Sequence, residues 1–235
     1  MNVVSVMAHQ DDEMFCLGTM LKCTARGDAL WFITLTDGSK GFTQRPEIAR
    51  DEAARIRHEE MSALAKAAGG SYINLREYDE FLYDTPEVRM KLIEAIRATK
   101  ADVILTHYEQ DYNLDHITTN LLVRHCAMQS PLPVLPTQSS PLAAHPAIFM
   151  IEPHGPIEFN ATYYVDITDF ERKKAELLSC HVSQEEAMKV TLGTGIGEMC
   201  AIKSRYRGDL TGCAHAEAFV PMQQRLAIKP YAVLP

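Results

Sequence analysis

A histidine and three acids stand together at His9, Asp11, Asp12 and Glu13, directly behind an apolar run over residues 3–8. Charge at the end of a buried segment is costly unless something compensates it. A metal ion does so. His9 offers an imidazole nitrogen and a neighbouring carboxylate an oxygen, a donor pair that suits Zn²⁺. The carboxylate left over is then free to carry a proton. The same residues also fit an ordinary helix start, where acids cap free N–H groups and complement the helix dipole.

The elements around them decide between these readings. The run over 3–8 is short and rich in Val, which predicts an inner strand of a parallel sheet. Residues 12–26 carry apolar residues at near-helical spacing and predict a helix closed by Gly27. Residues 29–36 read as a second strand that ends in the polar loop Thr36-Asp37-Gly38-Ser39-Lys40-Gly41. Further strands are predicted over 71–76, 102–107, 147–151 and 162–167. Helices are predicted over 46–68, from Thr85-Pro86 to about 100, over 116–129, and over 169–190 behind a Thr168/Glu171 capping box. The proline-rich stretch 130–146 reads as an irregular crossing loop, and residues 191–212 show no readable pattern.

Strand and helix alternate, so the fold class is α/β. The prediction is a Rossmann-like three-layer fold with a mostly parallel sheet, in a single domain. In the Rossmann order 3-2-1-4-5, strands 1 and 4 are neighbours at the switch point, where ligands bind beyond the strand ends. The loop after strand 4 holds Asp111, Asp115 and His116. These residues, far from His9 in sequence, are thereby expected beside it in space, which favours a metal site over a cap.

Composition sets bounds. The chain has 235 residues, enough for one sizeable core. Its net charge of −8 argues against a nucleic-acid binder. The six scattered cysteines form no CxxC pair and read as reduced, mostly buried thiols. No basic leader with a long apolar run and no membrane-length apolar window is present, so the expected location is cytoplasmic. Homo-oligomerisation is left open.

Four pieces of the chain resemble the PIG-L/LmbE-like family of zinc-dependent N-acetylglucosaminyl deacetylases. AHQDDE at 8–13 resembles the family's AHPDDE, and TLTDGSKG at 34–41 resembles its TxTDGExG loop. DYNLDH at 111–116 is similar to the second metal motif, which usually ends HPDH. AEAF at 216–219 and Lys174 with the His181-Val182-Ser183-Gln184 segment stand in family-like order. The resemblance spans residues 2–220.

It implies metal ligands His9, Asp12 and His116, with Asp11 as general base and Asp115 in the catalytic set, holding a neighbouring ligand or the base's partner in position. It implies substrate contacts by Arg57 and Asp79, and a C-terminal extension over about 147–235 that completes the substrate pocket. The cofactor implied is Zn²⁺, with Fe²⁺ or another divalent transition metal able to fill the same donor set. The activity implied is removal of an acetyl group from an N-acetylglucosamine-type amino sugar or glycoconjugate by metal-activated water.

Three positions depart from the pattern. Gln10 and Leu114 replace prolines, and Asn113 stands where many members carry an oxyanion-stabilising His. An Asn side chain donates a hydrogen bond but carries no charge. Asn113 is taken as the catalytic candidate there, with His107, Tyr112 and His154 as open alternatives. His181 reads as a buried, hydrogen-bonded histidine, and Lys203, Arg205 and Arg207 as a solvated patch. Two other functions compete: a non-catalytic binding module of the same fold, and a deacylase of a different N-acylated amine. A dinucleotide site is disfavoured, because the first turn lacks GxGxxG and places Asp11 and Asp12 where a pyrophosphate would sit.

Overall fold

The structure, a computed structural model, describes residues 1–224; the last residues of the expected single domain, 225–235, lie outside the described residues. The strands are β1 (Asn2–Met7), β2 (Ala29–Thr36), β3 (Ser71–Glu77), β4 (Val103–Thr106), β5 (Ala147–Ile151), β6 (Tyr163–Asp166) and β7 (Ala216–Pro221). The α-helices are α1 (Leu17–Ala25), α2 (Arg50–Ala67), α3 (Pro86–Ala98), α4 (Leu114–Gln129), α5 (Glu171–Leu178), α6 (Val182–Leu192) and α7 (Ile196–Thr211). The strands form one sheet in the order β3-β2-β1-β4-β5-β7-β6. Its first five members are parallel, as the Rossmann order requires, and β7 runs antiparallel between β5 and β6.

Side chains of the inner strands alternate between two cores, which is why their sequences are apolar throughout rather than alternating. Val3 and Met7 join α1, α2, α5 and α7 on one face. Val4 and Val6 join α3 and α4 on the other. The alternation continues through β2, where Leu30 and Phe32 face the first core and Ile33 and Leu35 the second. All six cysteines are free thiols. Among the described residues no helix is long and apolar enough to cross a membrane.

Several boundaries differ from the sequence expectation. Residues 12–15 form a 3₁₀ turn instead of the first turn of α1, because Asp11 has φ 126° and Cys16 φ −138°. Pro46 lies ahead of α2 rather than in its first turn, since that helix begins at Arg50. The helix expected over 169–190 is two helices, broken where the buried His181 turns out of helical geometry. The Thr168/Glu171 capping box does not form, because the Thr168 hydroxyl accepts from the His215 N–H instead. Residues 196–211, unreadable in sequence, are a helix.

The basic trio is corrected in part. Arg205 is exposed, but Arg207 is buried and donates from Nε and Nη2 to Glu152 at 2.9 Å each. Lys203 donates to the Pro153 carbonyl at 2.6 Å. Both cations therefore brace the loop after β5 rather than form a solvated patch.

A second buried ion pair ties the late strand to the first helix. The Glu217 carboxylate on β7 accepts from Gly18 N–H (3.0 Å) and Thr19 N–H (2.7 Å), and Lys174 Nζ of α5 lies 2.9 Å from it. Lys174→Ala would leave that carboxylate buried without its cation. The variant is expected to lose about 3–5 kcal/mol of stability, measured by chemical denaturation; a loss below about 1 kcal/mol would show that the backbone donors alone satisfy Glu217.

Candidate metal centre and catalytic site

Parallel strands deliver their exit loops to one edge of the sheet. The loops after β1, β2, β3 and β4 therefore meet, and a cavity of about 580 Å³ lies among them, within the usual size of a ligand site. Its polar floor includes His9, Asp11, Asp12, Arg57, Asp79 and His116. Apolar side chains line it as well, among them Met14, Phe15, Ile151, Ile157, Met188 and Leu192.

His9, Asp12 and His116 each present a ligand atom within 4.8 Å of the others. His9 Nδ1 lies 3.2 Å from His116 Nε2 and 3.3 Å from Asp12 Oδ2, and His116 Nε2 lies 3.2 Å from Asp12 Oδ1. The outer nitrogens face acids. His9 Nε2 is 3.1 Å from Asp79 and 3.4 Å from Asp115, and His116 Nδ1 is 3.1 Å from Asp111. Each imidazole thus turns one nitrogen to a shared point and the other to a carboxylate, the arrangement that orients metal-bound histidines.

Two other triads are sterically close, His107/Asp111/His116 and His9/Asp79/Asp115. Each includes a group that the backbone already uses. His107 Nε2 accepts from the Ala8 N–H at 3.0 Å. Asp115 accepts from Glu80 N–H (2.8 Å) and Leu82 N–H (3.1 Å), and Asp79 from Lys40 N–H (2.7 Å). The first triad also spends one atom this way, Asp12 Oδ2 accepting from the His9 N–H at 2.7 Å, but it keeps Asp12 Oδ1, His9 Nδ1 and His116 Nε2 turned to one point.

Charge balance fits a cation as well. Burial alone would push Asp12 up, but His116, His107 and His9 hold it well below the usual carboxylate range. Burial likewise opposes protonation of His116, yet Asp12 and Asp111 raise it to about 9. His9 is raised too, burial being outweighed by Asp12, Asp115 and Asp79. The acids around the two imidazoles thus favour positive charge at this point. His107 goes the other way, pushed down to about 4 by burial and by His116, whose ring stacks on it at 4.0 Å.

Asp11 lies beside the triad. Burial raises it to about 6 against the pull of Arg57, whose Nη2 is 3.2 Å from Asp11 Oδ1. Arg57 is 1% exposed rather than on a solvated helix face. Its Nη2 also donates to the Gln10 carbonyl, while its Nε and Nη1 have no partner among the described residues. Gly38 makes this packing possible: a Cβ there would stand 2.1 Å from Gln10 Oε1 and 3.0 Å from Arg57 Nε.

The remaining candidates fall as follows. Asp79 holds His9 and the loop after β2, so it is a neighbour of the triad more than a free pocket group. Asn113 caps α4, its Oδ1 accepting from Asp115 N–H (2.7 Å) and His116 N–H (3.4 Å), and its Nδ2 donates to Glu80. Its amide oxygen is thus spent on backbone, as N-cap preference would have allowed one to read from Asn followed by Leu-Asp-His. His154 and Tyr112 line the cavity. Asp111, named in the sequence with the loop after strand 4 but given no role there, holds His116; its position five residues ahead in the same loop was the available signal.

Residues 4–127 match the PIG-L family, described as GlcNAc-PI de-N-acetylase. No curated protein matches. N,N'-diacetylchitobiose deacetylase from Pyrococcus horikoshii is similar in structure, with a TM-score of 0.80 and 23% identity over 94% of this chain and 83% of that one. The conserved protein TT1542 from Thermus thermophilus gives 0.77 and 25% over 96% of each chain. GalB, the 4-carboxy-2-hydroxymuconate hydratase of Pseudomonas putida, gives 0.81 and 20% over 98% of this chain and 99% of that one. The shared fold thus serves more than one reaction, so activity has to be argued from the site.

Proposed function

The chain belongs to the PIG-L family, and from that premise we propose that it is a divalent-metal-dependent N-deacetylase acting on an N-acetylglucosamine-type amino sugar or glycoconjugate. The observation that carries this is the pair of imidazoles, each aimed inward at a common point and backed outward by a carboxylate. His9, Asp12 and His116 would hold the ion, Zn²⁺ by preference for this His₂-carboxylate set, with Fe²⁺ the alternative. When bound, such an ion polarises a carbonyl and acidifies water.

The chain's own groups do the rest. Asp11 takes the proton of the attacking water on its carboxylate and returns it to the leaving nitrogen, and a pKa near neutrality suits both halves of that task. Arg57 holds Asp11 and, lining the cavity, stands on the substrate side of the base. Asp115 and Asp79 keep the His9 ring in place, and Asp111 keeps that of His116. Asn113 serves by fixing the start of α4, and so the positions of Asp115 and His116. The C-terminal part of the chain completes the pocket through residues 151–157 and α6.

The apolar lining of the cavity favours a substrate larger than free N-acetylglucosamine, with an apolar aglycone or acyl group against Phe15 and Met188. A deacylase of another N-acylated amine rests on this same observation. The test is amine release from free N-acetylglucosamine, its phosphates, and its aryl and alkyl glycosides, with and without chelator. Chelator-sensitive release is expected, faster for the apolar glycosides. No release from any of them by metal-loaded protein would overturn the deacetylase reading.

A further inference from the structure

Two buried residues outside the cavity bear on the base. Glu13 is 1% exposed and His181 fully buried, and neither lines the cavity. His181 Nε2 lies 2.7 Å from Glu13 Oε1, and Glu13 Oε2 accepts from the Asp11 N–H at 3.1 Å. Among the described residues that N–H has no other acceptor. Asp11 sits at φ 126°, a region that L-residues rarely occupy and that persists only where the surroundings enforce it.

We infer that Glu13 and His181 are positioning residues: the Glu13 carboxylate, anchored by the His181 imidazole, grips the Asp11 N–H and keeps Asp11 in the backbone conformation that aims its side chain into the cavity. Neighbouring atoms complete the grip. Met14 N–H donates to the Asp11 carbonyl at 2.9 Å, and Arg57 holds the carbonyl of Gln10. Of these contacts only the carboxylate faces the Asp11 N–H. An acid at a helix start would ordinarily stay hydrated, but this one is turned inward and paired with a residue 168 positions away.

The pair also joins the base to the pocket wall. His181 stands at the N-terminal boundary of α6, whose Gln184, Met188 and Leu192 line the cavity. Gln184 in turn donates to the Gly41 carbonyl at 2.9 Å in the loop after β2. One carboxylate thus joins the start of α6 to Asp11. The helix expected over 169–190 breaks at this residue, whose ψ of 60° is not helical and whose imidazole meets Glu13.

The inference rests on Asp11 being the base, and its test separates the two. In metal-loaded full-length protein, Glu13→Ala is expected to lower kcat by about 10²-fold, the effect of a misplaced catalytic group, with KM and metal content unchanged. Glu13→Gln keeps an acceptor for the Asp11 N–H and a donor for His181, and is expected within about tenfold of the parent. A crystal structure of Glu13→Ala should show Asp11 relaxed to negative φ. Wild-type kcat in Glu13→Ala, or an unchanged Asp11 φ, would overturn the inference. Should Glu13→Ala fail to fold, His181→Asn, too short to reach Glu13, is read by the same kcat and φ. A parent protein without deacetylase activity would sink the deacetylase reading alone, since the φ measurement still decides this one.

Discussion

Asp11→Asn is expected to lower kcat by about 10²–10⁴-fold, the usual worth of a positioned general base, while metal content by elemental analysis stays at the parent level. The substitution preserves volume in a buried site and removes only the capacity to take a proton. His9, Asp12 and His116 keep their donors, so ion binding has no reason to fall. Some stability is lost as well, because Arg57 then carries a buried charge without its acid. The pH profile of the parent supplies a second check. Burial raises Asp11 to about 6, and it must be ionised to act, so kcat/KM rises with pH through the acid limb and then levels. A cation beside it favours the carboxylate, so the limb of loaded protein falls at or below that value. Parent-like turnover by Asp11→Asn would remove it from the mechanism.

His116→Ala carries the second large effect, on metal affinity. Loss of an inward nitrogen from a three-residue set leaves two donors, and affinity is expected to drop by more than the 10–100-fold typical of outer partners. Asp111→Asn, which touches only the far side of the same ring, should fall within that 10–100-fold range. Competition against a chelator of known affinity would order the variants. If His116→Ala binds as tightly as Asp111→Asn, the ion is held elsewhere, and the His9/Asp79/Asp115 triad becomes the candidate.

The parallel half of the fold was legible because its physics is local. A Val-rich run with no polar alternation can only be a strand covered on both faces, and strict switching of Val3, Val4, Val6 and Met7 between two cores is its consequence. The meeting of residues 8–13 with 111–116 followed from strand order alone. What was hidden depends on partners distant in sequence. Nothing near Glu217 announces that its strand enters between β5 and β6, or that its acid needs Lys174. Arg207 looked solvated because Glu152 lies 55 residues earlier. The capping role of Asn113 was hidden in the same way, because the sequence shows the missing imidazole but not the two N–H groups that its oxygen serves; its Nδ2, the donor an oxyanion would use, reaches only Glu80 among the described residues.

The placement of β7 has a consequence for how the molecule is made. β5 and β6 are both finished long before residues 216–221, yet in the sheet each pairs with β7 rather than with the other. During synthesis the outer edge of β5, with Phe149, Met150 and Ile151, waits unpaired while the intervening helices emerge, and open apolar edges invite pairing with other chains. The strand that closes this edge also brings Glu217 to the first helix. That edge of β5 therefore stays open until residues 216–221 emerge, and one late strand then joins β5, β6 and the first helix.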